Sequence, residues 1–222
     1  MNLSVIRACA LAVCCCVATG ALAQNAAEEN LSTNARFLMA ARDADAAALS
    51  RELAAGAAIN SRNRLGETAL IVVLKKDRAD LANLLIYAGA DVNIAAVNGI
   101  TPLMAASYGG HDAIVKRLMA KGADLRAVDR LQKNAMVYAA GEGRTEVVMT
   151  LIAGGMAAND VYANDLTPLM WAAGFGKTAT VRALLAAGAD PARKDNRGKT
   201  AVDIAREQGF NETVAALQAA PR

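Results

Sequence analysis

A 33-residue period runs through most of this chain and constrains its fold more than any other feature. Helix-capping residues recur at that step, and so do glycines. A hydroxyl or amide side chain starts a helix by accepting a free backbone N–H, and a glycine ends one by adopting the left-handed conformation. One start and one stop per fixed period predict a solenoid of stacked helical units. The two series are Thr68, Thr101, Asn134, Thr167 and Thr200, and Gly56, Gly89, Gly122, Gly155 and Gly188.

The unit over residues 99–124 shows the local logic most clearly. Thr101 is placed to cap a first helix, and Pro102 suits the first helical position because it has no N–H to lose. The pair Gly109-Gly110 then breaks this helix, and Gly122 ends a second one. The second helix has an apolar stripe that predicts a buried face, formed by Ile114, Val115, Leu118 and Met119.

This unit resembles the ankyrin repeat, which reads Gly-x-Thr-Pro-Leu, two alanines, a glycine turn and an outer helix ending in Gly-Ala-Asp. That ending stands at residues 89–91, 122–124 and 188–190. The resemblance implies an all-α ankyrin-repeat solenoid of about six helix-turn-helix repeats with β-hairpin-like finger loops. Its repeat domain spans residues 34–222, with degenerate first and last units acting as caps. The predicted units are 34–60, 61–93, 94–126, 127–159, 160–192 and 193–220.

Two units depart from this pattern in their finger loops. The finger glycine, present as Gly66, Gly99 and Gly198, is replaced by Gln132 and Asp165. Glycine adopts a positive φ without strain, and Asp tolerates it better than Gln does. We therefore expect these two fingers to be either strained or differently shaped.

Residues 1–23 have the pattern of an export signal. A short basic start with Arg7 precedes an apolar stretch and an Ala-x-Ala site at residues 21–23. The pattern predicts cleavage between Ala23 and Gln24 and a flexible lead-in over residues 24–33. The expected location is periplasmic or secreted, in a bacterium, with no stable membrane span after cleavage. An uncleaved anchor, a buried helix, and a lipid anchor through Cys14 are the alternatives.

Composition narrows the classes of partner. All four cysteines lie within the signal segment, so a cleaved chain forms no disulfide and no thiolate metal site. Loss of Arg7 would lower the net charge from +3 to +2. That is too close to neutral to indicate a nucleic-acid partner or a membrane-surface protein. We expect a monomer that uses no cofactor and no metal.

No residue set predicts catalysis. His111 is the one histidine, so a catalytic triad or a histidine-based zinc site has no second member. The segment Gly174-Phe175-Gly176-Lys177-Thr178 resembles the end of a phosphate-binding loop, but Trp171 stands where that loop needs glycine. Three methionines that might bind copper are instead predicted to fill the core: Met104, Met136 and Met170.

The resemblance also implies a binding surface, because ankyrin proteins usually bind partner proteins through finger tips and first helices lining a concave groove. An apolar patch is predicted from four finger residues, Val97, Ile100, Leu131 and Leu166. Tyr138 and Trp171 occupy equivalent first-helix positions, and they either anchor a partner or cover the core. The candidate contacts are Arg64, Leu65, Val97, Ile100, Tyr108, Arg130, Leu131, Lys133, Tyr138, Leu166, Trp171, Phe175 and Arg197.

A second hypothesis uses the basic residues of the same surface. Arg64, Arg130, Lys133 and Arg197 could meet the anionic groups of an envelope polymer or a small ligand. Strong salt sensitivity of binding would favour this hypothesis over apolar anchoring.

Overall fold

The computed structural model describes residues 32–219, which form twelve α-helices in six consecutive pairs. The pairs are α1 (Thr33–Asp43) and α2 (Ala46–Ala54), α3 (Ala69–Lys75) and α4 (Ala79–Tyr87), α5 (Pro102–Gly109) and α6 (Asp112–Ala120), α7 (Ala135–Glu142) and α8 (Thr145–Ala153), α9 (Pro168–Gly174) and α10 (Thr178–Ala186), and α11 (Ala201–Glu207) and α12 (Asn211–Gln218).

Extended structure within residues 32–219 is limited to one isolated bridge between Arg62 and Thr68, so the predicted all-α solenoid is confirmed. None of the helices in this range is long and apolar enough to cross a membrane. The predicted export segment, its cleavage site at Ala23 and Gln24, and Cys14 lie outside the described residues.

From the second unit onward, the first helix of each unit begins at the predicted capping residue. Each capping side chain accepts the N–H three residues further on, as Thr101 does from Met104 at 3.2 Å. The second helices of these five units have no side-chain cap, whereas Asp45 caps α2 in the first unit. We call the first helices inner and the second helices outer.

The first unit differs because its helix starts three residues earlier than the period predicts. Ser32 caps α1 by accepting the N–H of Ala35, so residues 32 and 33 of the predicted lead-in belong to this helix. In α2, Glu52 takes the position of Leu85 and Leu118 in later units, and only 5% of its surface is exposed. Its carboxylate lies 2.9 Å from the Arg36 guanidinium, so an ion pair replaces an apolar contact in this cap.

A continuous apolar strip runs between the inner and outer layers. Equivalent positions of successive inner helices are almost fully buried, and the outer helices contribute a matching row. The three methionines predicted as core are buried to 2% exposure or less. Because each unit covers its neighbours' apolar faces, stability is distributed along the stack rather than centred in one place. The two rows are Leu70, Leu103, Met136 and Leu169, and Leu85, Leu118, Leu151, Leu184 and Leu217.

Polar contacts also join neighbouring units. Arg78 donates to the carbonyl of Ala44 at 2.8 Å, and Arg144 donates to the carbonyl of Tyr108 at 3.0 Å. Each guanidinium thus reaches the carbonyl end of the preceding unit's inner helix, where a positive charge is favoured by the helix dipole. Asparagines in the loops after the outer helices make a second set of contacts, from Asn60, Asn93 and Asn159.

Five finger loops project between the units. Each is closed at its base by a backbone bond of 2.9–3.0 Å from one residue's N–H to the carbonyl four residues on. Gln132 adopts the left-handed conformation at φ 58° and keeps the same turn as the glycine fingers. Asn164 and Asp165 are both left-handed and form a short 3-10 turn, Ala163–Asp165, so that finger has a different shape. The loops are finger 1 (63–67), finger 2 (96–100), finger 3 (129–133), finger 4 (162–166) and finger 5 (195–199).

Candidate functional site

The fingers and inner helices enclose two adjacent cavities, which together we call the groove. One cavity has a volume of about 520 Å³ and lies between finger 2 and the inner helices α3, α5 and α7. The other, of about 420 Å³, lies between α1, α3 and finger 1. Lys75 borders both. The larger cavity has an apolar lining from Leu74, Ile100, Met104, Ala105, Tyr108 and Tyr138.

Four aromatic side chains, which we call the aromatic row, run along the inner helices from this cavity. Tyr108 and Tyr138 make an edge-to-face contact with ring centroids 6.2 Å apart. Trp171 and Phe175 are stacked at 6.1 Å with an angle of 7° between ring planes. Tyr108 and Phe175 are 52% and 53% exposed, whereas Tyr138 and Trp171 are half-buried. Trp171 packs against the core, whereas Tyr108 and Phe175 present their rings to solvent.

Tyr138 also fixes finger 3 against its own helix. Its hydroxyl donates to Asp129 Oδ2 at 2.6 Å, while Asp129 Oδ1 accepts the N–H groups of Leu131 and Lys133. Burial and the Asp129 carboxylate both raise the pKa of Tyr138, so its hydroxyl remains a neutral donor. Trp171 has no comparable bond, since its indole N–H is buried without an acceptor among the described residues.

Lys133 lies between the two halves of the aromatic row. Its ammonium nitrogen is 4.9 Å from the ring centroid of Trp171 and 5.9 Å from that of Tyr138. Both distances are within the range of cation–π attraction. Lys133 is half-buried, so these contacts are partly shielded from water.

The equivalent charged residues in two other units are neutralised within their own unit. Glu67 lies 2.7 Å from Lys75, and Lys199 lies 2.6 Å from Glu207, both eight residues further on. Burial alone would raise the pKa of Glu67, but hydrogen bonds from Lys75 and Asn63 outweigh it and hold that pKa below its usual value.

The residues of the predicted apolar patch differ in how far they are exposed. Val97 and Leu131 are exposed, as is Leu65, whereas Ile100 and Leu166 are half-buried and pack against the core. Of the four residues of the expected patch, Val97 and Leu131 are therefore exposed, and Ile100 and Leu166 present only part of their side chains. The residue after the finger turn is more buried than the tip residues because it directly precedes the helix cap.

The basic finger residues do not form a cluster. Arg197 folds back on the carboxylate of Asp195 in its own finger, with nitrogen–oxygen distances of 2.7 and 2.9 Å. Arg64 and Arg130 are exposed, but they stand on fingers 1 and 3 with finger 2 between them. At about 8–10 Å per unit, these two residues are roughly 20 Å apart.

The groove also includes residues that the sequence did not single out as binding candidates. Arg144 and Asp77 line the larger cavity, and the Asp77 carboxylate lies 3.0 Å from His111 Nε2. Arg78, His111 and Arg144 are one period apart, so the same spacing that located the fingers could have identified them. Within residues 32–219 no three metal-binding side chains of the His, Cys, Asp and Glu types come together.

Comparison with known proteins agrees with this architecture. A family model described as ankyrin repeats (3 copies) matches residues 37–129, 73–165, 110–195 and 136–220. The inactive serine/threonine-protein kinase TEX14 of Bos taurus is 32% identical over 123 residues, which cover 55% of this chain and 8% of that protein. Its Mus musculus counterpart is 30% identical over 89 residues, covering 40% of this chain and 6% of that protein.

The chain therefore spans less than a tenth of the length of these curated relatives. Ankyrin repeats act as scaffolds for protein–protein interaction and are generally non-catalytic. The overlapping matches extend from α1 to the end of α12, and they coincide with the six helix pairs and five fingers. On these grounds the chain belongs to the ankyrin repeat family.

Proposed function

We propose that this protein is an exported, non-catalytic scaffold that binds another protein through the groove and the finger tips. The observation that carries the proposal is the aromatic row beside an apolar cavity. Rigid aromatic side chains surrounded by charged residues are typical of the anchors of protein interfaces. Tyr108 and Phe175, with about half of each side chain exposed, have the surface to lose on binding.

The charge distribution favours a protein over an anionic polymer or small ligand. Of the four basic residues that the second hypothesis needs, Arg197 is already paired with Asp195, so three remain for an anionic ligand. Arg64 and Arg130 stand on separate fingers. Dispersed charges of this kind contribute little to binding a compact anion.

The export pattern of residues 1–23 supports a place in the bacterial cell envelope. A basic start, an apolar stretch and an Ala-x-Ala site precede Gln24, and every cysteine lies before that residue. We propose that the mature protein begins at Gln24 and acts as a monomer in the periplasm or after secretion.

The test is an in-cell crosslinking pull-down from the envelope fraction of the native host. Wild type is compared with the Tyr108→Ala/Phe175→Ala double variant, which removes the two exposed anchors. The matched control is Tyr87→Ala on outer helix α4, since Tyr87 is 72% exposed and lies under the Arg117 guanidinium, away from the groove. We expect a protein that wild type and the control capture and that the double variant loses.

Three results would contradict the proposal. Equal capture by the double variant would place the interface outside the groove, and loss of capture in Tyr87→Ala would place it on the outer helices. Capture of no protein by wild type would favour the polymer or small-ligand hypothesis. The intact mass of the recovered bait reports on export, and a mass that includes residue 1 or a lipid on Cys14 would overturn cleavage at Gln24.

A further inference from the structure

The residue before the inner-helix cap carries a charge in three of the five finger units. In two of them the partner is supplied eight residues later, where Lys75 pairs with Glu67 and Glu207 pairs with Lys199. For Lys133 the same position is Gly141, which has no side chain. Across residues 32–219 no carboxylate lies within ion-pair distance of the Lys133 ammonium.

The space left by Gly141 is used by another member of the aromatic row. A Cβ at Gly141 would lie 3.6 Å from the Phe175 ring, an ordinary van der Waals contact, so the ring packs beside the backbone of α7. Gly141 therefore leaves Lys133 without an acidic partner and also borders the aromatic row. Lys133 is left over the rings of Tyr138 and Trp171, with ammonium donors that have no carboxylate acceptor.

An ammonium in this position is prepared for a carboxylate from outside. It is half-buried, so part of its desolvation is already complete before a partner arrives. Cation–π contacts hold it in place and reduce the side-chain freedom that a new ion pair would have to remove. The two carboxylates that border the groove do not compete for it, because Glu67 is held by Lys75 and Asp77 lies against His111.

We propose that the groove takes an extended acidic segment of its partner protein, with an Asp or Glu carboxylate paired to Lys133. A large apolar side chain beside that acid enters the 520 Å³ cavity lined by Ile100, Met104 and Tyr108. Arg144 at the edge of the cavity adds positive charge on the same side. This inference rests on the proposed function, since it names the chemistry of the segment that the groove binds.

The test uses the purified protein and a phage-displayed library of random dodecapeptides. We expect enriched peptides to carry Asp or Glu close to a Leu, Phe, Tyr or Trp. Lys133→Gln should weaken the best peptide about tenfold, as for close charge pairs across interfaces. The matched control is Lys199→Gln, which removes the equivalent lysine two units away whose charge is already paired with Glu207 and should leave the affinity unchanged. A peptide in which Lys replaces the acidic residue should bind the Lys133→Glu variant, because the two charges of the ion pair are then exchanged.

The outcomes separate this inference from the proposed function. Enriched peptides that lack an acid, yet lose affinity in Tyr108→Ala, would overturn the acidic segment and leave groove binding intact. Equal weakening by Lys133→Gln and Lys199→Gln would also overturn it, because the effect would then be general electrostatics. Failure to enrich any peptide that depends on Tyr108 overturns it as well, and the pull-down then decides the proposed function separately.

Discussion

At the residue scale, Gln132 carries backbone strain that the glycines of fingers 1, 2 and 5 avoid. Its φ of 58° is left-handed, and glycine occupies the same position in fingers 1, 2 and 5. A non-glycine residue costs about 1–2 kcal/mol in this conformation, which glycine's greater freedom in the unfolded chain partly offsets. We expect Gln132→Gly to raise the free energy of unfolding by about 0.5–1 kcal/mol, measured by urea denaturation.

Two glycine variants serve as controls, because they separate the effect of a positive φ from the effect of a close contact made by the added Cβ. A Cβ on Gly198 would meet nothing within 4 Å, whereas one on Gly99 would lie 2.8 Å from the Cα of Asp129. Both residues have positive φ, so Gly198→Ala reports strain alone and Gly99→Ala reports strain plus the close approach of finger 3. If Gly99→Ala lowered the free energy of unfolding no more than Gly198→Ala does, this account would be contradicted. A Gln132→Gly variant less stable than wild type would contradict it too.

Single residues also show what the period could and could not predict. It located Gln132, Tyr138 and Trp171, because equivalent positions have equivalent backbones. It did not predict that Arg197 turns onto Asp195, since side-chain direction depends on local partners rather than on spacing. The cap at Ser32 was missed because the first unit has lost the Thr-Pro-Leu pattern that marks helix starts in the others.

At the element scale, fingers 1, 3 and 5 each depend on the side chain of the residue at their base. Asp195 is 5% exposed and accepts the N–H groups of Arg197 and Lys199, as Asn63 accepts those of Leu65 and Glu67 in finger 1. Burial would raise the pKa of Asp195, but hydrogen bonds from the Lys199 backbone and from Arg197 outweigh it and lower that pKa. The unfolded chain therefore binds this proton more readily than the folded finger does.

The sign of the pH dependence follows from this lowered pKa. The contribution of Asp195 to stability is complete above the unfolded pKa of about 3.9 and is lost as the pH falls through the folded value. Asp195→Asn keeps an oxygen for both N–H groups and removes the ionisation. We expect the stability of wild type to fall more steeply than that of Asp195→Asn between about pH 5 and pH 3. Parallel pH profiles from urea titrations would refute the role given to this carboxylate.

At the scale of the whole molecule, the described stack has one interval where the backbone bond between neighbouring fingers is missing. Successive fingers are joined by backbone bonds from Val97 to Leu65, from Arg130 to Asn98 and from Asn196 to Asn164. Among the described residues, the corresponding bond from Ala163 to Leu131 is absent. The differently shaped finger 4 accounts for that gap, because its 3-10 turn moves the backbone away from finger 3.

The series of contacts made by the loop asparagines is also interrupted beside fingers 3 and 4. Asn60, Asn93 and Asn159 each accept the N–H of a residue 31 positions later, but Arg126 occupies the remaining internal position of this series. Ala157 instead bonds the side chain of Asp160 in its own loop. A cavity of about 260 Å³ opens there, lined on one side by Leu125, Arg126 and Val128 and on the other by Gly155, Met156, Asp160, Val161 and Tyr162.

Restoring the missing asparagine tests whether this interval limits the cohesion of the stack. Arg126→Asn would supply an acceptor for the Ala157 N–H and a donor for the Gly155 carbonyl, as Asn93 does for Asp124 and Gly122. We expect a gain of about 1 kcal/mol in unfolding free energy and slower amide exchange over residues 156–166, because a net hydrogen bond contributes about that much.

The matched control is Asn93→Ala, which removes an intact contact between the preceding loops and should lower stability by a similar amount. Stability in a solenoid depends on the contacts between adjacent units, so a change at one interval should alter exchange on both sides of it and leave distant units unchanged. If Arg126→Asn stabilised the chain without slowing exchange at residues 156–166, the gain would come from removing the arginine charge. Fingers 3 and 4 would then owe their separation to the 3-10 turn alone.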